Sequence, residues 1–247
     1  RGGMASEGIG DGAGVNIDLS RDFFRKVTGD TTLEVGDFGV GNFFMTDDPA
    51  HEVEAEKIIE DALKEQGFAV LAKRDVPVNP SVLREAAVKA QLPIRQWVFK
   101  CASGDKAHAE FDARIHEALL AIEAQAFTQD HLDGLFPISM SAHTQVLKGR
   151  LNSNEVLPYF EDLLDPDHAI HTIFFHTRFS TNTAPHPRMA QPFRLMAHNG
   201  ELNTDKKNRL SEDTIARMKN RRVIAPKGQS DSARLDQTLE RRLIEDG

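Results

Sequence analysis

The chain has 247 residues, 40% hydrophobic and 28% charged, which excludes disordered and fibrous classes and leaves room for a sizeable core. A formal net charge of −8 argues against a protein built to neutralise phosphates, so nucleic acid is not expected as a partner. Cys101, the one cysteine, excludes a disulfide framework, a cysteine-rich zinc site and a cysteine-ligated cluster within these residues, and fits a reducing compartment such as the cytoplasm. The longest apolar runs, such as Ile173-Phe174-Phe175, are too short for a membrane span. Arg1 in place of an initiating Met suggests processing or a missing left end.

The first element in chain order, Gly8-Ile9-Gly10-Asp11-Gly12-Ala13-Gly14, reads as a turn whose backbone takes positive φ or approaches a neighbour closely. It partly imitates a dinucleotide-binding fingerprint, but Arg1 to Glu7 is too short and polar to supply the strand that must precede one. After an Asp/Gly-rich stretch over 29–41, Pro49 opens a helix in which Val53, Ile58, Ile59, Ala62 and Leu63 recur at helical spacing and Gly67 stops it. A strand over 68–73, a helix over 82–90 and a strand over 94–101 follow. The longest helix spans 107–127, with Phe111, Ile115, Ala118, Leu119 and Ile122 on one stripe. Strands over 136–141 and 144–148, a helix over 155–164 and a buried strand over 169–176 come next. Residues 205–227 carry eight Lys or Arg against three Asp or Glu, and read as a solvated helix face before a turn and helix over 231–245. With no linker or repeat, residues 1–247 read as one α+β domain, cut at both edges.

Three polar clusters stand where strands or turns should end. In His176-Thr177-Arg178-Phe179-Ser180-Thr181-Asn182-Thr183, the Arg178 guanidinium suits either a two-pronged grip on a carboxylate or a loop cap. In Ala190-Gln191-Pro192-Phe193-Arg194-Leu195-Met196-Ala197-His198-Asn199-Gly200-Glu201, a short strand delivers Asn-Gly, which offers a side-chain amide and a glycine N–H close together, as an oxyanion site needs, but is also a common hairpin turn. In Gln229-Ser230-Asp231-Ser232, the carboxylate suits a helix N-cap or an ammonium ligand. His168, His171, His176, His186 and His198 lack the spacing of a helical metal site, so no metal is expected.

Taken in order, Arg1-Gly2-Gly3, Gly10-Asp11-Gly12-Ala13-Gly14, the Arg178 cluster, Ala190-Gln191-Pro192-Phe193-Arg194, His198-Asn199-Gly200-Glu201 and Ser230-Asp231-Ser232 closely resemble the glutaminase domain of glutamate synthase large subunits. Residues 93–99 and 139–142 also look like that family. The resemblance implies a class II glutamine amidotransferase of the N-terminal-nucleophile type, a four-layer αββα sandwich with two antiparallel sheets. It implies hydrolysis of L-glutamine to glutamate and ammonia by an N-terminal cysteine whose α-amine is the base, the ammonia passing to 2-oxoglutarate. Carried over residue by residue, Arg178 and Thr181 meet the α-carboxylate of glutamine, Asp231 its α-ammonium, and Asn199 and Gly200 form the oxyanion hole.

The implied partners are L-glutamine, flavin synthase domains of the same polypeptide and a small reductase subunit. FMN and an iron–sulfur cluster are implied for those other domains, with no ligand for either in these residues. The sequence departs from the family in two places. The nucleophilic cysteine is absent and expected upstream, since Cys101, ending an apolar strand without a free amine beside it, reads as a buried hydrophobe. After Thr204 the chain continues Asp205-Lys206-Lys207-Asn208 where family members have an apolar residue and Arg-Gly-Asn. The alternative is a catalytically silent glutamine-binding or structural domain.

Overall fold

A computed structural model describes residues 10, 12–46, 48–104, 110–177, 186–198, 206–220, 224–226 and 228–246, with backbone alone at 206–209, 212 and 246. Its strands are β1 (Ala13–Asp18), β2 (Phe38–Phe44), β3 (Phe68–Asp75), β4 (Ile94–Cys101), β5 (Phe136–Ser141), β6 (Thr144–Gly149) and β7 (Ile173–His176). The α-helices are α1 (Arg21–Thr28), α2 (Pro49–Glu65), α3 (Glu85–Lys89), α4 (Phe111–Ala126), α5 (Val156–Tyr159), α6 (Lys206–Met218) and α7 (Asp231–Asp246).

Local chemistry sets the helix limits. Asp48 accepts the N–H of Ala50 at 2.9 Å, Pro49 fills the first position of α2, and Gly67 follows its end at φ 73°. Ala55, Ile59, Ala62 and Leu63 form its buried face, whereas Val53, expected on that stripe, is exposed. In α4 the expected stripe of Phe111, Ile115, Ala118, Leu119 and Ile122 is buried throughout.

The strands form two antiparallel sheets, one of order β6-β1-β7 and one of order β3-β4-β2-β5. Helices α2 and α4 cover one face of the larger sheet, packing on Phe43, Trp97, Phe99 and Met140. The smaller sheet contributes Val15, Ile17 and Leu147 to a second cluster with Phe44, Ile94 and Ile138 of the larger one. The architecture is therefore an α+β sandwich. Within the inter-sheet core, the Gln96 amide donates to Asn42 Oδ1 at 2.8 Å and to Gln145 Oε1 at 3.1 Å, and Asn42 donates to the Val146 carbonyl at 3.0 Å. These buried amides satisfy one another and pin the two sheets in register.

Five regions differ from the sequence expectation. The glycine-rich turn gives way to β1 from Ala13 onward, and β2 begins inside the Asp/Gly-rich stretch because Gly39 leaves room for the Phe99 ring, 2.5 Å from where a Cβ would stand. The 82–90 helix is a 3₁₀ turn at Pro80–Val82 followed by the short α3. The 155–164 helix is broken at Phe160, whose backbone is extended (φ −87°, ψ 101°). Finally, 169–176 yields only the four-residue β7, and it is not buried. Among the described residues it pairs with β1 alone, leaving Ile173, Phe174 and Phe175 exposed. An apolar run signals burial only when the strand is covered on both faces.

Ile122, with no solvent exposure, lies at the centre of the α2/α4 layer. Ile122→Ala is expected to cost ~2–5 kcal/mol in urea unfolding; a loss below ~1 kcal/mol would contradict this packing.

Candidate functional site

Residues 186–198 run across the sandwich with no strand and only one 3₁₀ turn, Pro187–Met189. Backbone polar groups in such a segment still need partners, and here side chains supply them. Lys148 Nζ donates to the carbonyls of Arg188 (3.1 Å) and Ala190 (2.8 Å). Asn16 Nδ2 donates to the carbonyls of Phe193 (3.1 Å) and Arg194 (2.8 Å). The Asp236 carboxylate accepts three consecutive N–H groups, Arg194 (3.1 Å), Leu195 (2.9 Å) and Met196. His198 Nε2 lies 2.9 Å from Ser232 Oγ. Thus β1, β6 and α7 together hold the segment that leads into Asn199.

Two charges are sunk among these contacts. Lys148 reaches its carbonyls because its cross-strand partner is Gly14, where a Cβ would stand 2.5 Å from the Lys148 Cβ. Its burial, reinforced by the nearby Arg194 guanidinium and only partly offset by Asp236, brings its ammonium down to about 7. Arg194 bridges α4 and α7, pairing with Glu123 at 2.6 Å and Glu240 at 3.0 Å and donating to the Pro137 carbonyl at 3.1 Å. Burial pushes the Glu240 carboxyl up to about 7 despite that pairing, with Asp236 and Glu123 adding repulsion. Asp236 is likewise raised, first by burial, against the pull of its three N–H donors.

A cavity of about 270 Å³ separates β7 from this segment, lined by Phe174, Phe175 and His176 on one side and Gln191, Pro192, Met196, Ala197 and His198 on the other. The chain passes from one wall to Arg178 and from the other to Asn199. Four expected site residues, Arg178, Thr181, Asn199 and Gly200, lie outside the described residues. Asp231 is described: it is the exposed first residue of α7, where a carboxylate complements the positive helix end. The cap itself is Ser230, whose Oγ accepts the Ala233 N–H at 3.2 Å, so the N-cap role considered for Asp231 belongs to its neighbour.

Cys101 is buried in the α2/α4 cluster and accepts from Arg114 Nη1 at 3.5 Å, as a structural residue would. His168 is structural as well, stacked on Phe23 at 4.2 Å and bonded through Nδ1 to the Asp162 carbonyl at 2.7 Å. No helix among the described residues is long and apolar enough to cross a membrane. Asn16, Lys148 and Asp236 escaped the sequence reading. Each sits in a regular element where a polar residue reads as solvated, and the Gly14 that makes room for Lys148 is its neighbour only once β1 and β6 pair.

Comparison with known proteins gives a family model, glutamine amidotransferases class-II, that matches residues 1–247. Among curated relatives, a glutamate synthase [NADH] of Saccharomyces cerevisiae is 31% identical over 97% of the chain and 12% of its own length. Ferredoxin-dependent glutamate synthase 2 of Synechocystis is 32% identical over 97% of the chain and 16% of its own length. The glutamate synthase [NADPH] large chain of Bacillus subtilis is 36% identical over 83% of the chain and 13% of its own length. The chain therefore spans between 12% and 16% of the length of these relatives.

The Lys148 environment has a measurable consequence. Between about 7 and the ordinary value of 10.5, the unfolded chain holds a proton at this position that the folded chain has released. Stability from this group therefore rises with pH across that window and is flat below it. Urea unfolding of the native protein and Lys148→Met at pH 7, 8.5 and 9.5 should show the native protein gaining on the variant as pH rises; a constant difference would refute the buried ammonium.

Proposed function

Because the chain belongs to the class-II glutamine amidotransferases, we propose that it is the glutaminase domain of a glutamate synthase large subunit, releasing ammonia from L-glutamine for transfer to 2-oxoglutarate. The observation that carries this is the shared cavity between β7 and residues 191–198. One wall leads within two residues to Arg178, the other directly to Asn199 and Gly200, and His198 is tied to Ser232 beside Asp231. The course of β7, the 186–198 segment and the start of α7 supports a reading in which three sequence-distant motifs, around Arg178, Asn199 and Asp231, serve one site.

On this reading the two ends of glutamine are recognised by opposite charges. Arg178, assisted by Thr181, takes the α-carboxylate through paired charge-assisted hydrogen bonds, and Asp231 takes the α-ammonium. An amide lacking either charge leaves a desolvated partner unpaired, a penalty of about 2–5 kcal/mol. The side-chain carboxamide then meets Asn199 and Gly200, whose N–H groups bond the oxygen most strongly when it bears the charge of the tetrahedral intermediate. The nucleophile is a cysteine other than the core-packed Cys101, upstream of Arg1 in the full-length protein, with its own α-amine as base. The iron–sulfur cluster belongs to other domains of the synthase, since a lone buried cysteine does not fit the several thiolates a cluster takes, and FMN is assigned to those domains with it.

Two measurements on the full-length protein decide this. It should release ammonia from glutamine and gain mass on incubation with a glutamine-like chloroketone. Arg178→Lys, which keeps the charge but loses the two-pronged geometry, should raise KM for glutamine by about tenfold or more. Neither ammonia nor adduct, with glutamine still binding in calorimetry, would instead identify a silent glutamine-binding domain.

A further inference from the structure

Ser232, Asp236 and Glu240 recur at every fourth residue of α7, so they form one stripe along the helix. All three touch the same stretch of chain. Ser232 Oγ meets the His198 ring at 2.9 Å, Asp236 takes the N–H groups of residues 194–196, and Glu240 pairs with the Arg194 guanidinium at 3.0 Å. Asp231, the candidate ammonium ligand, immediately precedes this stripe on the same helix.

We infer that Asp236 is a positioning residue for glutamine hydrolysis: it fixes the backbone of residues 194–196 and thereby sets where Asn199 and Gly200 stand relative to Asp231. This rests on the glutaminase reading above. Asp236 is 3% exposed, so water does not readily replace these three N–H groups at its carboxylate. Asn199 lies three residues beyond Met196, a reach of at most ~11 Å, so the held backbone is close along the chain to the oxyanion donors. Because α7 carries both Asp231 and the hold on 194–198, the helix acts as a ruler between the two ends of the substrate. Misplacement of reacting groups by about 1 Å can cost on the order of a hundredfold in rate.

The test is Asp236→Asn in the full-length protein. The new amide keeps one acceptor for Leu195 and Met196 but turns an NH₂ toward the Arg194 N–H. Glutaminase kcat should fall by about tenfold or more while KM for glutamine stays within about twofold. Two inhibitors separate positioning from general damage. The aldehyde analogue of glutamine adds the cysteine thiolate at its carbonyl carbon, its π pair moving to oxygen, so that its bound form carries an oxyanion. Its inhibition constant should weaken in step with kcat, whereas that of the product glutamate, which makes no oxyanion, should not change. An unchanged kcat, or equal losses for the aldehyde, glutamate and KM, would overturn the role. Should Asp236→Asn fail to fold, Asp236→Glu keeps both acceptor oxygens but moves them by one methylene, and is read by the same constants with the same criteria. If the native protein itself releases no ammonia, the glutaminase reading falls and this role with it; if it does and both variants match it, only this role falls.

Discussion

The site depends on one requirement: an irregular backbone laid over a sandwich must still have its N–H and C=O groups bonded. Residues 186–198 meet it through Lys148, Asn16 and Asp236, one side chain each from β6, β1 and α7. Sheet and helix are thereby joined through a third strand of chain that belongs to neither. Lys148 and Asp236 carry opposite charges and grip opposite kinds of backbone group, the cation on carbonyls and the anion on amides. Each is desolvated, and each is displaced from its ordinary ionisation by that burial. Removing either strands backbone polar groups in the interior, which is costlier than the net worth of the bonds themselves.

The same economy explains the Arg194 cluster. Taken alone, a guanidinium between Glu123 and Glu240 is weak evidence for stability, since desolvation of three charges offsets much of their attraction. What the cluster fixes is geometry. The planar fork of Arg194 holds α4 and α7 at one separation, and its own main chain is the first of the amides on Asp236.

Much of the scaffold was legible from periodicity. The strand Ile94–Cys101 and the α4 stripe follow the expected pattern because both are regular elements with one environment per face. The first 44 residues were not legible: β1 and β2 are rich in glycine, and their stability comes from cross-strand neighbours such as Lys148 and Phe99 that lie far along the chain. β7 misled in the other direction, its apolar run standing at a sheet edge among the described residues. The motifs around Arg178, Asn199 and Asp231 were recognised only by their combined order, since each alone suits a turn or cap. Their supports stayed hidden because polar side chains on a helix or strand look solvated until the segment they hold is in place.

The spacing of the α7 stripe turns a length of helix into a constraint on insertion and deletion. One residue added between Ser232 and Asp236 rotates everything beyond it by about 100° and advances it by about 1.5 Å. Asp236 and Glu240 would then face away from the segment that Ser232 still touches. The stretch from Ser232 to Glu240 therefore tolerates no single-residue change in length without losing part of its hold on residues 194–198.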